Sequence, residues 1–303
     1  MPENPPAPAL SIVLPVFNGG RFLAAALDSL LAQTYADFEL LASDNGSTDD
    51  TPAILARYAA RDPRLRLHRF ARNLGAARNF NHLFPAARGR YFKWAAHDDL
   101  CAPRYLEACI GVLESDPSVA LCHSLSGRIY ADGRRGAPYA EDGGFDDPDP
   151  VQRFRRLVTV PHRCIVVFGV FRREALAGTA LLAPYVGSDR NLLAEVGLRG
   201  RLACVPETLF LRRSHGATSL AQYPDEQARI AWFDPALAGR PSYPLHRNVR
   251  EYLASVARAP LAPDQKAACE AIVKDWVRRG RHYSGAPVRE LYARERERLK
   301  ARA

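Results

Sequence analysis

LSIVLPVFNGGRFLAAALDSLLAQ, Leu10 to Gln33, is the stretch on which the fold turns. LSIVLPVF, Leu10 to Phe17, is a short apolar run suited to a buried strand. From about Gly20 to Gln33 the residues continue as an amphipathic helix. The alternation then repeats. FELLASD (Phe38 to Asp44) is a second strand, and STDDTPAILARYAARD opens on a Ser/Thr/Asp cap and runs on as a helix. LRLHRF (Leu65 to Phe70), a helix from about Ala76 to Ala87, RYFKWAA (Arg90 to Ala96), a helix from Pro103 to Ser115 and VALCHSL (Val119 to Leu125) complete the series. Repeated β-α-β units predict a mostly parallel, Rossmann-like α/β sheet flanked by helices, with ligands at the carboxyl ends of its strands.

The second half is less regular. Tyr130 to Pro150 is rich in Gly, Asp and Pro and reads as a mobile loop, a candidate lid over substrates. CIVVFGVFRREAL resumes a strand entering a helix, and RLACVPETLFLRR supplies more strand. After about Ala217 three helical stretches follow, and Cys269, Ile272, Val273, Trp276 and Val277 share one helical face. The expected organisation is a flexible lead over 1–9, a catalytic unit over 10–216 (halves of about 10–126 and 127–216), and a helical C-terminal extension with a basic tail over 217–303.

At 303 residues, 47% hydrophobic and 25% charged, the balance is that of a globular protein. No apolar run reaches the roughly 18 residues a membrane span needs, and MPENPPAPAL lacks the basic and apolar regions of a signal peptide. Six cysteines without paired spacing suit reduced thiols in a cytoplasm and argue against structural zinc. The formal charge is +9, and from Arg240 onward 15 Lys/Arg stand against 7 Asp/Glu. No nucleic-acid-binding motif accompanies this excess. The C-terminal helices are expected to pack on the catalytic unit first, to dimerise second, and to meet an anionic membrane surface third.

AAHDDL, Ala95 to Leu100, follows a strand with two adjacent carboxylates among apolar neighbours, an arrangement that is costly without a positive partner. Mg²⁺ or Mn²⁺ on a sugar diphosphate is one such partner. Read alone, the pair fits equally well as an N-cap for the helix near Pro103.

Four elements stand in order: SIVLPVFNGG, LLASDNGSTDDT, NLGAARN and KWAAHDDL. The series resembles glycosyltransferase family 2, of GT-A fold, over about Leu10 to His215. The resemblance implies a metal-dependent, inverting transfer of sugar from a nucleotide-sugar, a UDP-sugar first, to a hydroxyl of a glycan or lipid-linked glycan. By motif match, Pro15, Val16 and Asn18 lie beside the nucleoside, Asp44 accepts from the base, and Arg78 nears the base or diphosphate. Asp98 approaches the ribose or sugar, while Asp99 and His215 ligate the metal. Asp189, in YVGSDRNLLAE, is the implied catalytic base, with an N-cap by Ser188–Asp189 as the alternative. Asn18, Asn45 and Asn79 fit turn-forming roles equally well, and Arg78 also fits a solvated helix face.

Two departures from the family pattern stand out. Asn45 occupies the place of the second acid of DDGS, and His97 that of an acidic or small polar residue. His162 and Arg163, with Arg212 and Arg213, are candidates for contacting acceptor or phosphate. Two other readings remain: a sugar-phosphate nucleotidyltransferase, for which PVFNGGRF is a poor phosphate loop, and a non-catalytic nucleotide-sugar-binding scaffold. A cytoplasmic protein, peripheral at the inner face of a membrane, is the expected setting.

Overall fold

The computed structural model describes residues 7–139, 144–216, 218, 222–223, 225–282 and 284–300. Most of the lead, the boundary at Ala217 and residues 140–143 of the expected lid lie outside them. In chain order the elements are β1 (Leu10–Val16), α1 (Gly20–Leu31), β2 (Phe38–Asp44), α2 (Thr51–Ala59), β3 (Leu65–Arg69), α3 (Ala76–His82), β4 (Tyr91–Trp94) and β5 (Leu100–Cys101). There follow α4 (Tyr105–Ser115), β6 (Val119–Tyr130), β7 (Arg135–Gly136), α5 (Pro150–Thr159), β8 (Val170–Arg172), α6 (Arg173–Ala177), α7 (Ser188–Gly197) and β9 (Arg201–Ser214). The last four are α8 (Glu226–Phe233), α9 (Pro244–Arg258), α10 (Pro263–Arg279) and α11 (Val288–Lys300).

One mixed sheet runs β3-β2-β1-β4-β8-β6-β9-β5, with β7 paired to β6. β1 pairs in parallel with β2 and β4, β2 with β3, and β6 with β9. β8 is antiparallel to both β4 and β6, and β5 is antiparallel to β9. The fold is therefore the expected α/β architecture with a mostly parallel sheet, into which short antiparallel strands are set. β1 is buried at every position because both of its faces are covered, and its one polar side chain, Ser11, donates to Glu39 Oε1 at 2.7 Å. Leu10, Ile12, Leu14 and Val16 face α1 and α4, while Val13 joins Phe92 and Trp94 on the opposite side.

Several boundaries differ from expectation. α3 stops at His82 because Pro85 cannot continue a helix and disfavours it in the preceding residue. β5 was not anticipated; it separates Asp98–Asp99 from α4, whose N-cap is Arg104. The helix-cap alternative for the two aspartates is thereby removed.

The described part of the expected lid is anchored. Gly136 pairs with Arg128, Phe145 is a core residue, Arg201 bridges Asp146, and the Asp149 side chain accepts from Val151 N to cap α5.

The C-terminal helices share the core of the sheet unit. Leu245, Val249, Tyr252 and Val256 of α9, and Cys269, Ile272, Val273 and Trp276 of α10, lie in one cluster with Phe154, Leu157, Leu192 and Val196. Buried Glu195 fastens this contact: its carboxylate accepts from Ser255 Oγ at 3.1 Å and from Arg258 Nη2 at 3.0 Å. Within the described residues no helix is long and apolar enough to cross a membrane.

Candidate functional site

The parallel strands β1, β2 and β4 end on one edge, where the chain turns into polar loops. At the end of β1, Asn18 adopts a left-handed φ of 48°; its Oδ1 accepts from Thr48 N at 2.9 Å, and its own N–H donates to Ser47 Oγ at 2.8 Å. Asn18 thus forms the turn and ties β1 to the loop after β2. Val16 is buried, and its carbonyl accepts from Asn45 N and from Asn79 Nδ2. Pro15 is buried within β1, paired with Ser43. The α1 N-terminus is already occupied: Gly20 N donates to Asp49 Oδ2 and Gly19 N to Thr51 Oγ1, both at 2.9 Å. Gly19 also has no room for a Cβ, which would stand 2.6 Å from the His97 ring. That contact joins the loop after β1 to the aspartate pair.

Asn45 has a physical account. Its amide donates to Asn73 Oδ1 at 2.8 Å and to Gly75 O at 3.2 Å, while its Oδ1 accepts from Leu74 N. A carboxylate could not make the two donations. Asp44, at the end of β2, is 2% exposed. One of its oxygens accepts from Ser47 N; Oδ2 lies 3.1 Å from Arg69 Nε but accepts no hydrogen bond within the described residues. The Arg69 guanidinium balances the charge of this oxygen, which keeps capacity to accept from one further donor. Arg78 is exposed on α3.

Asp98 and Asp99 sit on the short turn between β4 and β5, facing the end of β9. The His215 Nε2 is 2.9 Å from Asp98 Oδ2, although the two residues are 117 positions apart. Asp99 is buried and accepts from Arg213 N at 2.7 Å. Burial, reinforced by the Asp98 charge, pushes its carboxyl up to about 8, against the opposing influence of the Arg213 amide, Arg212 and Lys93. Such a pair of carboxylates calls for added positive charge.

Among the described residues no three metal-ligating side chains are gathered. What the turn offers is a hard carboxylate with an imidazole nearby, two donors at most. That suits a divalent cation whose remaining positions are filled by substrate phosphates and water.

Adjacent Arg212 and Arg213 point to opposite faces of β9, as strand residues must. The sequence placed Arg213 toward acceptor or phosphate; instead it is 6% exposed, and its guanidinium donates to Asp98 O at 2.7 Å and Tyr130 O at 3.1 Å. It clamps the aspartate turn. Arg212 remains half-buried, with Cζ 5.8 Å from the Tyr139 ring.

Asp189 lies in the first turn of α7, partly exposed, its Oδ1 accepting from the following Arg190 N. The cap of that helix is Gly187, so the Ser188–Asp189 cap alternative fails. Arg190 Nη2 donates to His162 O. His162 is itself buried, its Nε2 3.1 Å from Leu157 O and its Nδ1 3.5 Å from Cys164 Sγ. Burial, with Arg190 nearby, holds its imidazole down at about 4. It is a neutral wall residue with both nitrogens engaged, and not an open contact for acceptor. Arg163, next in sequence, is exposed, with Cζ 5.4 Å from the Tyr139 ring.

Sequence reasoning passed over Arg69, Arg128, Tyr139 and Lys93. Lys93 is fully buried in β4, donates to Phe168 O and stands 4.7 Å over the Tyr105 ring. A single lysine inside RYFKWAA was the available signal. Arg128 was missed because β6 extends past Leu125.

A profile of the family described as Glycosyl transferase family 2 matches residues 11–178, more than half of the chain. An uncharacterized glycosyltransferase of Rickettsia typhi is 34% identical over 113 residues, 37% of this chain and 34% of the relative. The match therefore spans about a third of that relative's length. An uncharacterized protein of Mycobacterium tuberculosis is 30% identical over 213 residues, covering 68% of this chain and 59% of that one. Among solved structures, S. aureus TarS 1–349 in complex with UDP-GlcNAc has a TM-score of 0.63 at 15% identity, covering 88% of this chain and 72% of that chain. The mannosyltransferase PcManGT from Pyrobaculum calidifontis, in complex with GDP-Man and Mn2+, has a TM-score of 0.53 at 18% identity, covering 96% and 85%. At these identities the structural likeness speaks to the fold, which is that of GT-A glycosyltransferases.

Proposed function

Since the chain belongs to glycosyl transferase family 2, we propose that it moves a sugar from a nucleotide-sugar, a UDP-sugar first, onto a hydroxyl of a glycan or lipid-linked glycan, with inversion at the anomeric carbon. The observation that carries this reading is the Asp98–His215 pair beside buried Asp99, at the strand edge that also bears Asp44. The Oδ2 of Asp44, which accepts no hydrogen bond among the described residues, is suited to accept from a base N–H such as that of uracil. The Asn18 turn, with the loops fixed by Asn45 and Asn79, shapes the wall against which the nucleoside rests, and exposed Arg78 reaches toward base or diphosphate.

Asp99 and His215 would hold Mn2+ or Mg2+, which when bound neutralises charge on the departing diphosphate, with Asp98 beside them toward the ribose or sugar. Arg213 keeps the aspartate turn in position through its two carbonyl contacts. Asp189 takes the proton of the attacking hydroxyl as that oxygen bonds to the anomeric carbon and the nucleoside diphosphate leaves with the bonding pair. A cytoplasmic protein with peripheral membrane contact, or a dimer through the C-terminal helices, extends the same reading.

Titration calorimetry with UDP tests it, using wild type and Asp99→Ala, each with Mn2+ and with EDTA. Metal-dependent binding that is lost in Asp99→Ala is the expected result. GDP and dTDP follow if UDP is silent. A wild type that binds no nucleotide under any condition overturns the transferase reading in favour of a scaffold that keeps the fold without turnover.

A further inference from the structure

Phe22 is out of keeping with its helix. Leu23, Leu27 and Leu30 of α1 are buried in the core. The Phe22 ring is only half-buried and joins neither apolar cluster among the described residues. Its ring neighbours are polar instead. The His215 imidazole centroid lies 4.7 Å from the Phe22 ring centroid, with the two planes inclined at 57°. Arg213 Cζ stands 4.6 Å from the ring centroid, and Arg21 Cζ 4.9 Å from it. A large aromatic side chain outside the core acts here through the faces and edges it offers those neighbours.

Two of the three residues against this ring also touch the aspartate turn. Arg213 donates from its N–H to Asp99 Oδ1 and from its Nε to Asp98 O, both at 2.7 Å. His215 Nε2 is 2.9 Å from Asp98 Oδ2. The ring itself is held in place from both ends. Its helix begins at Gly19 and Gly20, whose N–H groups are tied to Thr51 and Asp49, and the Arg213 guanidinium over it is fixed by two backbone carbonyls. The second side-chain torsion of a histidine is soft, so an imidazole keeps one orientation only against a firm neighbour. The His215 side chain is 3% exposed, and Phe22 covers part of it with a surface that offers no lone pair to compete for a cation.

We infer that Phe22 is the positioning residue for His215: its ring fixes the imidazole with Nε2 aimed at the aspartate turn, ready for the divalent cation of the donor complex. The inference rests on His215 as a metal ligand, proposed above, and adds the side chain that aims it. Removing a partner that orients a metal ligand weakens metal binding by about ten- to a hundredfold.

The test is Mn2+ binding to the full chain with UDP in excess, read from the electron paramagnetic resonance signal of free Mn2+. Wild type is compared with Phe22→Ala, Phe22→Tyr, His215→Ala and the double variant Phe22→Ala/His215→Ala. Phe22→Ala weakens Mn2+ on the order of tenfold. Phe22→Tyr keeps the ring and binds as wild type does. Once His215 is gone, Phe22→Ala adds little, because the two residues act as one unit. A side chain that served only the fold would cause the same loss in both backgrounds. Phe22→Leu, which keeps apolar volume without a ring, takes the place of Phe22→Ala if that variant fails to fold.

Three results overturn the inference while leaving the metal reading intact, all with His215→Ala weakened: unchanged Mn2+ affinity in Phe22→Ala, an equal loss with and without His215, or a loss that Phe22→Tyr does not reverse. If His215→Ala itself binds Mn2+ as wild type does, His215 is not a ligand, and the metal reading falls together with the inference.

Discussion

The two edges of the site are made differently. On the β1–β2 side the polar residues are spent on one another: Asn18, Asn45 and Asn79 satisfy backbone groups of neighbouring loops, and Asp49 and Thr51 close the α1 N-terminus. On the β6–β9 side, Arg128 and Arg212 lack ion-pair partners among the described residues. A frame of mutually satisfied amides holds a single shape before any ligand arrives. Like charges side by side supply no such mutual support. On the proposed reading, the first edge is the one that receives the nucleotide.

That contrast can be broken at several points. The largest effect is expected at the base: Asp189→Ala lowers turnover by roughly a hundred- to ten-thousandfold, while UDP affinity measured by calorimetry is unchanged. Retained turnover would remove Asp189 from the mechanism.

Next comes His162. Its folded pKa of about 4 lies below the ordinary 6.5, so between these values the unfolded chain binds the extra proton. Stability is then lost as pH falls from about 6.5 toward about 4, by a total of about 3 kcal/mol. Urea midpoints across that range should drop in wild type and follow a shallower slope in His162→Gln; equal slopes would refute the assignment of a buried neutral imidazole.

Gly75 has φ 89°, and a Cβ there would meet Phe233 O at 2.4 Å. Gly75→Ala should destabilise by about 2 kcal/mol from backbone strain of this kind, read as a shift in the urea midpoint. An unshifted midpoint would show that α8 does not press on the α3 entrance. The smallest effect belongs to Asn45→Asp, about 1 kcal/mol for donors that a carboxylate cannot supply. If that variant is as stable as wild type, the amide frame is looser than its hydrogen bonds suggest.

What the chain declared in advance follows from how local the signal is. β1 and β2 are short apolar runs closed by Asn, Gly and Asp, and both sit close to where the pattern puts them. The approach of His215 to the Asp98–Asp99 turn was legible through motif order. Arg212 and Arg213 were indistinguishable as a pair of letters, because which one faces solvent depends on the pairing of β9 with β6, a contact between segments far apart in the chain. His162 resembled a ligand for a similar reason: its burial is imposed by α5 and by Phe145, whose ring centroid is 5.3 Å away. The C-terminal helices showed their apolar faces but not the faces of α5 and α7 that receive them.

That reception has a consequence for engineering by recombination. The family match ends at residue 178, within the turn after α6, yet Leu192, Val196, Tyr252, Val273 and Trp276 interdigitate with Phe154 and Leu157 upstream of it. A chimera spliced at that residue would graft a foreign surface onto a bare apolar face. Exchange of this half between relatives would have to carry α5, α7, α9 and α10 across as one cassette.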